Sequence, residues 1–150
     1  MAVSVRQALI GDVERLAPLF DGYRQFYGKT SDLPLARQFL LERFQHSQSV
    51  LFVAEAEGEA VGFTQLYPSF SSVRAARIYI LNDLFVAPAH RKAGAAAALL
   101  DAAAAFVKTM GAAGLNLSTA VDNVRAQRLY ESVGWVRETN FYTYSLNLQR

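Results

Sequence analysis

The chain has 150 residues, 52% hydrophobic and 19% charged, so it can bury a core of its own and does not have the composition of a disordered chain. With no cysteine and only two histidines, His46 and His90, it excludes disulfides, thiolate chemistry and a histidine-rich site, and no metal is expected. A net charge of +2 does not call for nucleic acid, no apolar run suits a membrane span, and the first residues lack the build of a signal peptide; a single cytoplasmic domain over residues 1–150 is expected.

Residues 3–8 alternate apolar and polar, as a short strand does. Asp12 stands where it caps a helix carrying Val13, Leu16, Ala17, Phe20 and Tyr23 at helical spacing. Gly28 and the cluster 29–32 end that helix, and Asp32 reads as a solvated loop charge. A second helix is expected over residues 35–46, with Phe39, Leu40 and Phe44 apolar. Residues 50–57 and 60–67 read as strands joined at Gly58-Glu59, a hairpin signal. Residues 69–72 read as a polar loop and 78–86 as a third strand, completing an antiparallel meander.

An alanine-rich helix is expected over residues 93–110, followed by a strand at 115–120. Strand, helix, strand in that order is a crossover unit, so strands 78–86 and 115–120 are expected to lie parallel. Asp122 or Asn123 caps a shorter helix through Val133, and residues 135–138 and 141–148 read as final strands. The order βααβββαβαββ predicts an α/β (α+β) fold: a mixed, mostly antiparallel sheet of six to seven strands with helices on both faces.

Two segments carry chemistry. Arg91-Lys92-Ala93-Gly94-Ala95-Ala96 leads from the Pro88 stop into the long helix. Gly94 lets a ligand approach the backbone, Ala95 and Ala96 keep side chains away, and the first-turn N–H groups with Arg91 and Lys92 suit a pyrophosphate. An ordinary helix start with solvated cations fits the same residues. In the second segment Asn123, Ala126 and Tyr130 share one helical face, placing an amide and a phenol beside a small residue. Asn123 as a plain cap, with Tyr130 packed beside Leu129 and Val133, is the other reading.

At this spacing, one strand apart, the two segments resemble the GNAT superfamily of N-acetyltransferases. The likeness is strong over residues 81–135 and extends over the chain through the element order. The family's pyrophosphate loop reads Gln/Arg-x-x-Gly-x-Gly/Ala, which Arg91, Gly94 and Ala96 satisfy, with Lys92 where relatives often carry glycine. The resemblance implies acetyl-CoA as co-substrate. Its pantetheine arm would follow Leu84, Phe85 and Val86, its pyrophosphate would sit on residues Arg91 to Ala96 (Ala93 and Ala95 included), and Asn123 and Ala126 would add contacts. It further implies Tyr130 as the acid for the departing thiolate, a backbone N–H near Phe85 for the oxyanion, and direct attack by a primary amine in a ternary complex.

Polyamine and thialysine acetyltransferases are the flavour this chain resembles, and there the third strand reads Leu-Glu-Asp, an aromatic, then Tyr-Val. Here it is Leu81-Asn82-Asp83-Leu84-Phe85-Val86, so Asp83 matches while Asn82, whose amide cannot take a proton, replaces the glutamate. Asp83 is the candidate base or ammonium partner, or else a structural acceptor at a sheet bend. Acceptor recognition is expected from Tyr23, Phe26, Tyr27, Gln65, Tyr67, Ser69 and Asn82, the aromatics forming a cage for an alkyl-ammonium. Phe26 and Tyr27 as core plugs fit equally, and His90 reads as a surface residue. The implied partner is a small-molecule amine, polyamine or lysine-bearing substrate, with no nucleic acid or membrane, in a homodimer to which residues 141–144 contribute. A non-catalytic acyl-CoA-binding or regulatory module on the same fold is the rival, whereas a nucleotide-phosphate binder lacks its Gly-x-x-x-x-Gly-Lys-Ser/Thr pattern.

Overall fold

A type I′ turn sets the first register of the sheet. Glu57 (φ +52°) and Gly58 (φ +80°) are the two left-handed residues that such a two-residue hairpin requires. They join β2 (Val50–Ala56) to β3 (Glu59–Ser71), with Ala56 opposite Glu59. In the computed structural model, which describes residues 2–149, β1 (Ser4–Gln7) pairs with β2, and β4 (Ala76–Val86) pairs with β3, all antiparallel. A crossover through α3 (Ala95–Thr109) brings β5 (Gly114–Asn116) parallel to β4, as the strand-helix-strand order required.

The sheet therefore has five strands in the order β1-β2-β3-β4-β5, fewer than the six to seven expected. Residues 135–138 and 141–148 carry no strand. Alternation supplies faces but not a ladder partner, and Phe141, Tyr142, Tyr144, Leu146 and Leu148 are exposed. The expected loop at 69–72 is instead a continuation of the β3–β4 hairpin, with Ser71 opposite Ala76. Backbone ladder bonds do not depend on side-chain polarity, and Arg77 covers the Phe70 ring at 4.5 Å.

Side-chain alternation gives the sheet two covered faces. Leu51, Val53 and Phe63 join α1 (Val13–Phe26) and α2 (Leu33–Gln45) in one core, through Val13, Leu16, Phe20, Ala36 and Leu40. On the other face Phe52 and Tyr79 each set a ring 5.6 Å from Phe106 of α3. Two acids behave differently from expectation. Asp12 starts α1 but spends its carboxylate on Arg6 (2.8 and 2.9 Å) and on the Leu9 N–H (2.8 Å), which hold its pKa down at about 2. Asp32 is the N-cap of α2, accepting from Leu35 N–H at 3.1 Å, so that helix starts earlier than expected.

The decisive irregularity lies in β4. Gln65 faces Asp83, yet Leu66 faces Leu81, leaving Asn82 as the extra residue of a β-bulge. Before it, Tyr79 faces α3; after it, Phe85 packs against Gly22 of α1, whose added Cβ would lie 3.1 Å from that ring. One inserted residue thus rotates the end of β4 onto the α1 face. The chain resolves into two compact units, one up to Ser118 and one from Thr119 onward. In the second, α4 (Val124–Ser132) is the regular element among the described residues.

Candidate active site

The bulge turns Asp83 into a cavity of about 320 Å³ on the α1 face. Phe20, Tyr23 and Arg24 reach it from α1 at i, i+3 and i+4, Leu35 and Phe39 from α2, and Tyr67, Asn82 and Asp83 from the sheet. Asp83 is 1% exposed. A buried carboxylate must be compensated, and here each oxygen accepts one amide: Oδ2 from Gln65 Nε2 at 2.5 Å and Oδ1 from Asn82 Nδ2 at 2.7 Å. Gln65 is aimed in turn by Ser49, whose hydroxyl donates to Oε1 at 2.7 Å. Burial raises the Asp83 pKa above the ordinary carboxylate value, against the opposing pull of these hydrogen bonds. The phenol of Tyr23 donates to the Asn82 carbonyl at 3.1 Å. Burial, and then the charge of Asp83, push the Tyr23 and Tyr67 phenols well up, so both stay protonated.

Beside the cavity β4 has an open edge. β5 accompanies β4 only over Ile78–Ile80, so residues 81–86 have a strand neighbour on the β3 side alone among the described residues. The Ala87 N–H donates to Val61 O at 2.8 Å. Antiparallel alternation from that bond points the backbone groups of Phe85 at β3 and those of Leu84 and Val86 at the open side. The strand-end N–H groups that face the open side are therefore those of Leu84, next in sequence to Asp83, and of Val86, while that of Phe85 faces β3. Arg91 Nε donates to Val86 O at 3.0 Å and its guanidinium lies 5.6 Å from the Phe85 ring centroid, tying the loop to the strand end. The loop enters α3 through Lys92 (φ +72°) and Gly94 (φ +83°), and Ala98 N–H to Gly94 O, at 3.0 Å, closes the first turn. Earlier N–H groups, Ala95 and Ala96 among them, have no intrahelical acceptor. The helix begins at Ala95, leaving Ala93 in the loop.

In the second unit Asn123 caps α4, its Oδ1 accepting from Ala126 N–H at 3.2 Å. Tyr130 sets its ring 6.2 Å from Trp135, and its carbonyl accepts the Trp135 N–H at 3.0 Å. Of the expected acceptor residues, Tyr23, Tyr67 and Asn82 line the cavity with Asp83, while Gln65 stands behind it as the group that orients the carboxylate. Phe26 and Tyr27 are neither core plugs nor cavity walls: they are 59% and 56% exposed, with Tyr27 edge-on to Tyr23 at 5.1 Å. Helical spacing alone places Phe20 and Phe39 in the core and Leu35 at the start of the second helix, and gives no site role to Arg24, Leu35 or Ser49. The spacing of Phe20, Tyr23 and Arg24 was the available signal. Among the described residues, no three histidines or acids gather as a metal site, and no helix is long and apolar enough to cross a membrane.

The chain is 48% identical to the uncharacterized N-acetyltransferase YhfO of Bacillus subtilis (strain 168), over 97% of this chain and 98% of that protein. It is 37% identical to a probable acetyltransferase of Haemophilus influenzae, over 64% of this chain and 66% of that protein. The crystal structure of a probable acetyltransferase superposes with a TM-score of 0.92 at 39% identity, covering 98% of this chain and 99% of that one. The fold is shared, at 20% identity and a TM-score of 0.80, with the aminoglycoside N-acetyltransferase AAC(6')-Iy in complex with CoA, over 97% of this chain and 95% of that one. Residues 15–135 match the acetyltransferase (GNAT) family, and the chain belongs to that family.

Proposed function

We propose that this chain is a one-domain, acetyl-CoA-dependent N-acetyltransferase whose acceptor is a primary amine held in the cavity and attacking directly in a ternary complex. The observation that carries this reading is the juxtaposition at residues 83 and 84. Asp83 faces the cavity, and the backbone groups of the next residue face the open edge of β4. The residues present fit a CoA thioester. Leu84 and Val86 offer backbone groups to an amide-bearing arm, and the first turn of α3 behind the left-handed Gly94, with Arg91 and Lys92 adjacent, offers donors to a pyrophosphate. Acetyl-CoA bound there supplies the activated acyl group.

An alkyl ammonium of pKa about 10.4 must shed a proton, at a cost of roughly 4–5 kcal/mol at neutral pH. Asp83 accepts that proton, directly or through one water, and its raised pKa makes it the better base. As the nitrogen–carbon bond forms and the carbon–sulfur bond breaks, the Leu84 N–H stabilises charge on the acyl oxygen. Tyr130 gives a proton to the thiolate and is restored by the second proton that the acylated nitrogen sheds on becoming an amide, and Asn123 and Ala126 border the CoA arm. Both roles follow from the family resemblance and from the shared face of α4. A cytoplasmic homodimer belongs to the same proposal.

The test is thiol release from acetyl-CoA over a panel of polyamines and amino acids. Turnover is expected, with Tyr130→Phe lowering kcat about 10- to 100-fold while CoA affinity stays within twofold. Tight CoA binding without turnover on any amine would replace the enzyme with a non-catalytic acyl-CoA-binding module.

A further inference from the structure

The cavity carries one charge that amine acetylation does not require. Arg24 lines it, half-buried, and among the described residues has no carboxylate within 4.0 Å. The acid one turn earlier, Asp21, feels the Arg24 charge but spends its oxygens on other donors: it accepts from Ser31 Oγ at 2.7 Å, Asp32 N–H at 2.8 Å and Gln25 Nε2 at 3.1 Å. A second guanidinium stands nearby. Arg43 stacks on Phe39 with its Cζ 4.3 Å from the ring centroid; its Nη2 lies 3.4 Å from Glu42 Oε2, and its Nε is buried with no hydrogen-bond partner among the described residues. Asp83 supplies the opposite sign, each oxygen having lone-pair capacity left after its single amide bond. Apolar and aromatic surface from Phe20, Tyr23, Phe39 and Tyr67 fills the space between.

We infer that the acceptor is a zwitterion, a short alkyl amine that also carries a carboxylate, with its ammonium on Asp83 and its carboxylate on Arg24. This deepens the acetyltransferase reading and rests on it for the fate of the amine. A guanidinium at the wall of a cavity is matched by a planar carboxylate, which it can hold by two parallel hydrogen bonds. A polyamine would place a second cation against that guanidinium, and like charges at close range discriminate strongly. A volume of about 320 Å³ lies at the lower end for ligand sites, which suits a molecule the size of one amino acid.

Lysine and cadaverine make the discriminating pair, since they differ by the carboxylate alone. Two readouts on the full chain separate the two layers of inference: thiol release with acetyl-CoA, and calorimetric binding of each amine with CoA present. The expected result is at least a tenfold preference for lysine in kcat/KM and in affinity, located in KM. It should fall to about onefold in Arg24→Gln and be partly kept in Arg24→Lys, with thermal unfolding of both variants checked against wild type. Selective binding of lysine without thiol release would keep the zwitterion site and remove the acetyltransferase reading. Equal or better use of cadaverine, or a preference that survives Arg24→Gln in a folded variant, would overturn the proposal.

Discussion

The two halves of β4 are built for opposite purposes. Over Ile78–Ile80 the strand has a neighbour on each side, and Tyr79 is pinned against Phe106 on the α3 face. After the bulge at Asn82 the ladder continues on the β3 side alone, and the strand presents a buried acid to a cavity on the α1 face. One extra residue separates a half that stores stability from a half that accepts cost. The lesson is that this site comes from an error in pairing: an unbulged strand would leave Asp83 on the same face as Leu81.

The largest expected effect lies in the second half. Asp83→Asn removes the proposed proton acceptor and should lower kcat by about 10²- to 10⁴-fold. Its stability should move the other way. An acid whose folded pKa is raised above its unfolded value loses stability as pH rises from the unfolded value through the folded one, so at neutral pH ionised Asp83 is a net cost. Asparagine fits the network if the Gln65 amide turns over: Gln65 then accepts from the new amide and donates to Ser49, whose hydroxyl serves in either role. Thermal melts at pH 7 should show an unchanged or raised Tm. A large drop in Tm with retained kcat would sink the assignment of Asp83 as a base and leave it structural.

The first half predicts the reverse pattern. Phe106→Ala strips the ring that Tyr79 and Phe52 share and should cost about 3 kcal/mol in denaturant unfolding, with kcat/KM intact where the variant is folded. Gly62→Ala probes the junction, because an added Cβ would lie 2.9 Å from Phe85 O and 3.2 Å from Val86 Cγ2. It should cost about 1–2 kcal/mol and raise the KM for acetyl-CoA more than that for the amine. The smallest effect serves as a reference remote from β4. Asp12, at a pKa of about 2 against an ordinary 3.8, contributes stability present above the ordinary value and lost as pH falls toward 2. Asp12→Asn should flatten the acid limb of unfolding by about 1–2 kcal/mol, the half-exposed Arg6 keeping the figure modest.

Much of this could be read from the chain itself. The meander, the parallel crossover and the capped helices follow from Gly58, the 93–110 alanine run and Asn123, each a local signal that the fold honours. Asp83, Tyr23 and Tyr67 are named together from the chain alone, and the fold brings all three to one cavity; that they meet an acceptor amine belongs to the proposal. Arg24 and Leu35 are not among them, since their role depends on how α1 and α2 close over the sheet, a tertiary fact with no local mark. The bulge was equally hidden: Asn82 reads as one more polar position until Gln65 and Leu66 reveal the skipped pairing. The C-terminal alternation misled because period-two patterning specifies a face to bury and says nothing of a partner.

The open side of β4 also bears on solubility and storage. A strand edge with free N–H and C=O groups invites another chain to add itself, and natural sheets blunt such edges with bulges, charges or covering segments. Here the bulge at Asn82 and the Arg91 bond to Val86 O shorten the exposed run at both ends. A ligand bound along Leu84 and Val86 would fill the remainder. Occupancy would then protect the protein twice, by mass action on unfolding and by removing a seed for self-association, so that CoA in the buffer acts as a stabiliser even where no acetyl group is transferred.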